Sequence, residues 1–327
     1  MRLIKISTVH DFKNENLARR RTIMIEMRAI SKRYGDVKAL DDINFKINKG
    51  QIVGFLGANG AGKTTAMDII CGCIGADSGE VLIDGKEVSE HPLQIKQKLG
   101  YMPDTPPLHN EMRVAEYIKY VAVLRGLSKH EQNRSVAKIL SKLSLTSVSH
   151  RLIGNLSKGY RQRVGLAQSL IHDPEVLILD EPTEGLDPNQ IVQIRELIKS
   201  LHGEHTILFS SHILSEVASI CENLIIINKG KIVKTGNYTE ILQHAEATKS
   251  FELKVHTQPE KLIDELNKLQ EIQNPILQKD QTITFQSQNE SLILDDIAEA
   301  VLKGGYGLRG LSPKTKSLED VFFQLTK

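Results

Sequence analysis

Only three of the 327 residues are cysteines, and Cys71, Cys73 and Cys221 do not make a disulfide framework. Such scarcity fits a reducing cytosol. No apolar run approaches the ~20 residues that span a bilayer. The N-terminus lacks the apolar core and small-residue cleavage site of a secretory signal. Any work at a membrane is therefore expected to pass through a partner. An excess of one charge is missing too, since 42 Lys and Arg face 40 Asp and Glu, a net charge of +2. Nothing in that balance demands nucleic acid or a membrane surface, and no nucleic-acid partner is expected. The cluster Arg19-Arg20-Arg21 reads as solvated surface, with a nucleic-acid arm as the alternative. Internal repeats and sustained heptads are absent as well. The length suffices for two domains, one with a large core.

Against these absences one stretch stands out, Gly57 to Thr65, GANGAGKTT. It follows the apolar run Ile52 to Leu56 and precedes the helix-compatible Ala66-Met67-Asp68-Ile69-Ile70. Glycine, four residues and then Gly62-Lys63-Thr64 make a P-loop pattern. The glycines let backbone N–H groups face inward as an anion nest, and the helix that follows adds the positive end of its dipole. Gly57, Asn59, Gly60, Ala61, Gly62, Lys63, Thr64 and Thr65 are the expected nucleotide ligands. Lys63 is placed to reach the β- and γ-phosphates and Thr64 to ligate Mg²⁺. Cys71-Gly72-Cys73 is expected on the same helix, as core packing rather than a metal site.

Residues 1–23 carry no clear periodicity and are expected to be a flexible extension, unless the native chain starts at Met24. From Met24 to about residue 100, short strands alternate with turn signals such as Tyr34-Gly35-Asp36 and Asp84-Gly85-Lys86. Between 112 and 150 the pattern is helical, with Val114, Tyr117, Ile118 and Val121 on one face. Apolar strands at Val176–Leu179, Thr206–Phe209 and Leu224–Ile227 then alternate with helices, which implies an α/β fold with a mostly parallel sheet covered on both faces. Ligands on such sheets sit beyond the carboxyl ends of the strands. Composition shifts after Gly236; 243–250 reads as a linker, and 251–327 as a small accessory domain. Its strand, helix, hairpin, helix and strand order is that of a ferredoxin-like unit, followed by a helix over Ser317–Leu325.

Val176 to Leu179 ends in Asp180-Glu181. A hard cation prefers oxygen, so Asp180 is placed for Mg²⁺; Glu181 points elsewhere and is placed to activate water as general base. Ser157 reads as the N-cap of a helix from Arg161 to Ile171, and with Gly159 it offers a second set of backbone N–H groups to a phosphate.

LSKGYRQRVGLAQSL, then LILDEPTEGLDP and SSH, resemble the ATP-binding subunits of ABC transporters over about residues 24–242. The resemblance implies a P-loop cassette with an antiparallel β subdomain and a helical subdomain at about 105–172. It makes Leu156–Tyr160 the signature motif, Asp180 and Glu181 the Walker B pair, and Gly185-Leu186-Asp187 the D-loop. His212 becomes the switch histidine that contacts the γ-phosphate, and Tyr34 the aromatic that stacks on adenine. It further implies a head-to-tail homodimer in which Ser157 and Gly159 of one copy complete the P-loop site of the other, with Asp187 organising the interface. ATP and Mg²⁺ are the implied cofactors, and hydrolysis powers a separate integral membrane permease from the cytoplasmic face. Two positions depart from the usual pattern. Asp104 stands where a glutamine is common, which leaves open whether it contacts Mg²⁺, and Lys158 and Tyr160 replace a glycine and a glutamine. Lys158 has two readings, approach to a phosphate or a solvent-facing position. Asp104 to His109 occupies the place where such cassettes receive the permease's coupling helix. LSKGYRQR and the C-terminal SLEDVF resemble the ABC-2-type export branch, including gliding-motility cassettes. A soluble ABC-type ATPase acting on a non-transport partner is the competing reading.

Overall fold

In the computed structural model, residues 22–245, 249–267, 269, 272–278, 282–287 and 290–314 are described. The expected extension 1–23 lies outside them up to residue 21, and so does the expected helix at 317–325. The chain divides into two compact units, up to Gly236 and from Asn237.

The first unit opens with strands β1 (Ile23–Tyr34), β2 (Val37–Asn48) and β3 (Ile52–Leu56), followed by helix α1 (Lys63–Ile70). Strands β4 (Ser78–Ile83) and β5 (Lys86–Glu87), helix α2 (Pro92–Lys98) and strand β6 (Leu99–Met102) come next. Helices α3 (Val114–Leu124), α4 (Lys129–Lys142) and α5 (Lys158–Leu170) lead to β7 (Val176–Leu179) and α6 (Pro188–Ser200). The unit ends with β8 (Thr206–Ser211), α7 (Leu214–Ile220), β9 (Asn223–Asn228) and β10 (Lys231–Asn237).

The central sheet has the order β10-β9-β3-β8-β7-β6. Its pairs from β9 across to β6 are parallel. Strands β3, β7 and β8 are buried along their whole length, as unbroken runs such as Val-Leu-Ile-Leu require when both faces of a sheet are covered. A second, antiparallel sheet, ordered β2-β1-β4-β5, packs on it. Met24, Ile43, Phe45, Phe55, Met67 and Leu208 belong to the shared core, with the Phe45 and Phe55 ring centroids 5.8 Å apart. Glu131 caps α4 reciprocally with Ser128, and Val114, Tyr117, Ile118 and Val121 are the buried face of α3.

Helix α1 is shorter than its sequence suggests. It stops at Ile70 with Cys71 as C-cap, because Gly72 takes a left-handed φ of 64° that ends helices cheaply. Cys71 and Cys73 thus lie at the helix end, the first buried and the second exposed.

The second unit contains α8 (Tyr238–Ala245), β11 (Lys249–Val255), α9 (Pro259–Leu266), β12 (Gln273–Leu277), β13 (Thr282–Ser287), α10 (Glu290–Lys303) and β14 (Leu308–Lys314). Residues 243–250, read as a linker, instead include the end of α8 and the start of β11. The sheet order β12-β13-β11-β14, antiparallel throughout, is ferredoxin-like. Phe251 and Phe285, paired directly across the strands, stack with centroids 5.4 Å apart and anchor its core.

Candidate functional site

The loop after β3 turns into α1 at Gly62, whose φ of 107° is left-handed. A Cβ there would lie 2.6 Å from the Ala39 carbonyl oxygen, so glycine is needed for space as well as for conformation. No side chain caps α1 and no acidic residue sits in its first turn, which leaves its N–H groups and positive end to an anion.

Lys63 is buried, and its Nζ donates to the carbonyl oxygens of Gly57 at 2.8 Å and Ala58 at 3.3 Å. The same ammonium lies 3.2 Å from Glu181 Oε1, an ion pair without hydrogen-bond geometry. One residue along α1, Thr64 Oγ1 donates to Asp180 Oδ2 at 2.8 Å. Asp180 closes β7 wholly buried, and its other oxygen accepts from Ser210 Oγ at 2.5 Å. Ser210 Oγ in turn accepts the Glu181 N–H at 2.9 Å. Glu181 has a φ of 45°, uncommon for an L-residue. That turn sends two adjacent carboxylates to different partners, Asp180 to Thr64 and Glu181 to Lys63 and His212. Glu181 Oε2 lies 3.0 Å from His212 Nδ1 at the end of β8.

These groups border a cavity of about 620 Å³ lined by Tyr34, Asn59, Gly60, Gly62, Lys63, Thr64, Thr65, Asp104 and Glu181. Gly57, Ala61 and Asp180 are not among the lining residues, and His212 reaches the cavity through Glu181. Tyr34 is half exposed at the rim. Ser157 and Gly159 do not line this cavity. Ser157 takes the N-cap position of α5 without making a cap hydrogen bond, and Gly159 borders a separate cavity together with Asp187 and Gln190. Asp187 caps α6 by accepting from Gln190 N at 3.0 Å.

Glu184, Lys229 and Gly230 also line the site and escape a motif-by-motif reading. Glu184 hides inside EPTEGLDP, where its neighbours claim the attention. Burial raises the Asp104 carboxyl above the usual carboxylate range, and the negative charge of Glu184 raises it further, with Lys158 opposing. Lys158 is exposed, in keeping with the solvent-facing one of its two readings. Its Nζ folds back against Gly185 of its own chain, where a Cβ would sit 2.2 Å away.

A family described as ABC transporter matches residues 40–184. YhaQ of Bacillus subtilis (strain 168), an uncharacterized ABC transporter ATP-binding protein, is 34% identical over 308 residues, covering 92% of this chain and 98% of its own. The lantibiotic transport ATP-binding protein SrtF of Streptococcus pyogenes is 37% identical over 216 residues, covering 66% of this chain and 91% of its own. Among solved structures, cbiO1 from Clostridium perfringens, part of the ABC transporter complex cbiONQ, superposes with a TM-score of 0.63 at 27% identity, covering 69% of this chain and 92% of that one. The P-loop cassette fold and its ATPase chemistry follow together: the chain belongs to the ABC transporter ATP-binding proteins and is an ATP-binding, ATP-hydrolysing subunit of such a transporter.

Proposed function

We propose that two copies of this subunit close head to tail on ATP and drive a separate integral membrane permease from the cytoplasmic face, in an export system of the ABC-2 type. The observation that carries the reading is the convergence of Lys63, Thr64, Asp180, Glu181 and His212 at the carboxyl ends of β3, β7 and β8. Lys63 and the N–H groups of Gly57 to Thr65 hold the triphosphate. Tyr34, exposed at the rim, stacks on the base. Ser157 and Gly159 of the second copy complete the site with the N-terminus of α5.

Thr64 Oγ1 and Asp180 Oδ2, 2.8 Å apart, form a hard-oxygen pair that fits Mg²⁺. Among the described residues no group of three or more His, Cys, Asp and Glu could hold a metal, so phosphate oxygens and water would complete the shell. Bound there, Mg²⁺ would neutralise charge on the phosphates. Asp104 lines the same cavity and is the third candidate ligand. Glu181 takes the proton of the attacking water, and His212, hydrogen-bonded to it, positions the attack on the γ-phosphate.

No helix among the described residues is long and apolar enough to cross a membrane. A groove of about 750 Å³, lined by Leu93, Leu99, Pro103, Pro107 and Leu124, runs beside Asp104–His109 and is our docking site for the permease's coupling helix. Leu93 and Leu124 are exposed at its edges. The residues from 251 onward form an accessory domain, and gliding-motility cassettes are the sub-branch we assign on the LSKGYRQR pattern.

Glu181→Gln keeps the shape of the side chain and removes its basicity. With ATP it should run as a dimer in gel filtration and hydrolyse at least about 100-fold more slowly than wild type. Hydrolysis at the wild-type rate would remove Glu181 as general base. Purification from native membranes should bring down an integral membrane partner.

A further inference from the structure

Behind Glu181 and His212 lies a second carboxylate that the reaction does not touch. Glu216, in the first turn of α7, is 3% exposed. A carboxylate this deep is retained only when its charge and lone pairs are met. Its Oε2 accepts from Thr183 Oγ1 at 2.6 Å and from Ser211 Oγ at 3.0 Å. Its Oε1 faces Arg195 of α6 at 3.5 Å. The positions of those partners matter. Thr183 is two residues beyond Glu181, Ser211 immediately precedes His212, and Arg195 sits on the helix that Asp187 caps. Ser211 Oγ also accepts the N–H of Ile213 at 3.0 Å, so the residues on both sides of His212 are held.

We propose that Glu216 is a positioning residue, the common buried acceptor that sets the loop carrying Glu181 and the strand end carrying His212 in register and ties both to α6. The proposal rests on the catalytic reading of Glu181 and His212. Three chain segments meet on one side chain, and two of its three partners flank the pair whose separation is 3.0 Å. Losing the carboxylate leaves the Thr183 and Ser211 hydroxyls to find new acceptors and unpairs Arg195, whose Nε already has no hydrogen-bond partner. The Glu181–His212 geometry then loosens while the P-loop stays intact. Because Arg195 is on α6, displacement of that helix would reach Glu181 and His212 through the same carboxylate.

The test uses the full chain under single-turnover conditions, where slow rates remain measurable, with binding of a non-hydrolysable ATP analogue as the second readout. Glu216→Gln should hydrolyse ATP about tenfold or more slowly, with analogue affinity within about threefold of wild type. In combination with His212→Ala it should lose no more than about twofold beyond His212→Ala alone, because both act through one pair. Retention of more than about half the wild-type rate, or losses that multiply in the double variant, would overturn the proposal. If Glu216→Gln does not fold, Thr183→Val and Ser211→Ala each remove one donor. Slower turnover with unchanged analogue affinity supports the proposal, and an unchanged rate in both overturns it. Glu181→Gln keeps the two claims apart, since wild-type hydrolysis by that variant removes the underlying reading whatever Glu216 does.

Discussion

Replacing Gly62 by alanine places a methyl carbon 2.6 Å from the Ala39 carbonyl oxygen and 2.8 Å from Leu40 Cδ2, at a φ of 107°. The left-handed conformation alone costs about 1–2 kcal/mol for a residue with a Cβ. Crowding against a backbone oxygen, which cannot rotate away as a flexible side chain can, adds about 1–3 kcal/mol. The sum, about 2–5 kcal/mol, corresponds to a melting point lowered by roughly 4–20 °C for a unit of this size. Gly60 is the internal control. Its φ is 78°, but a Cβ there meets nothing within 4 Å, so Gly60→Ala should carry only the conformational part. Thermal melts of both variants followed by far-UV circular dichroism, with ATP binding measured on each, separate the two contributions. Equal losses at Gly60 and Gly62 would refute the close-approach argument; an unchanged melting point for Gly62→Ala would refute both parts.

Lys63→Ala removes the buried ammonium held against the Gly57 and Ala58 carbonyls and should weaken ATP binding at least about tenfold by equilibrium titration. Ser210→Ala strips Asp180 of one donor and leaves the buried Glu181 N–H unpaired, which should cost about 1–3 kcal/mol in urea unfolding. In Mg²⁺-free buffer, where no metal is there for it to hold, Asp104→Asn should tighten ATP binding, because it removes a carboxyl beside Glu184 in the nucleotide cavity. His172 is pushed down to about 4 by burial, with Arg125 adding to the shift. Between that value and an ordinary histidine value near 6.5 the unfolded chain binds the extra proton, so stability should fall as pH drops through this window. His172→Gln should flatten that acid limb in a stability profile.

Much of the fold is legible from apolar runs. The strands β3, β7 and β8 are uninterrupted because a parallel sheet buries both faces, and the P-loop announces itself by glycine spacing. The ferredoxin-like order is readable because apolar alternation near a period of 2 marks strands and a period near 3.6 marks helices. What escapes is adjacency between distant segments. Neither the approach of Glu184 to Asp104, nor the return of Lys158 onto Gly185, nor the three partners of Glu216 leaves any local period, since each depends on how whole elements pack. The end of α1 is hidden for a different reason: helix periodicity runs through Cys71, while a single left-handed glycine, Gly72, decides where the helix stops.

The turn joining β9 to β10 also bears on how the chain is made. Gly230 N donates to the Ala61 carbonyl at 3.0 Å, and Asp41 N donates to the Gly230 carbonyl at 2.7 Å. The phosphate loop is therefore clamped to strand β2 by a residue synthesised long after it. At ribosomal speeds of about 5–20 residues per second, the loop waits roughly 10–35 s for its brace. Such long-range closure cannot form before the β9–β10 turn has been synthesised. A nascent chain stalled before Gly230 would carry every residue of the motif and still lack the clamp. Nucleotide capture should consequently begin as a late, abrupt event in biogenesis, detectable as ATP protection that appears only once the β9–β10 turn has left the exit tunnel.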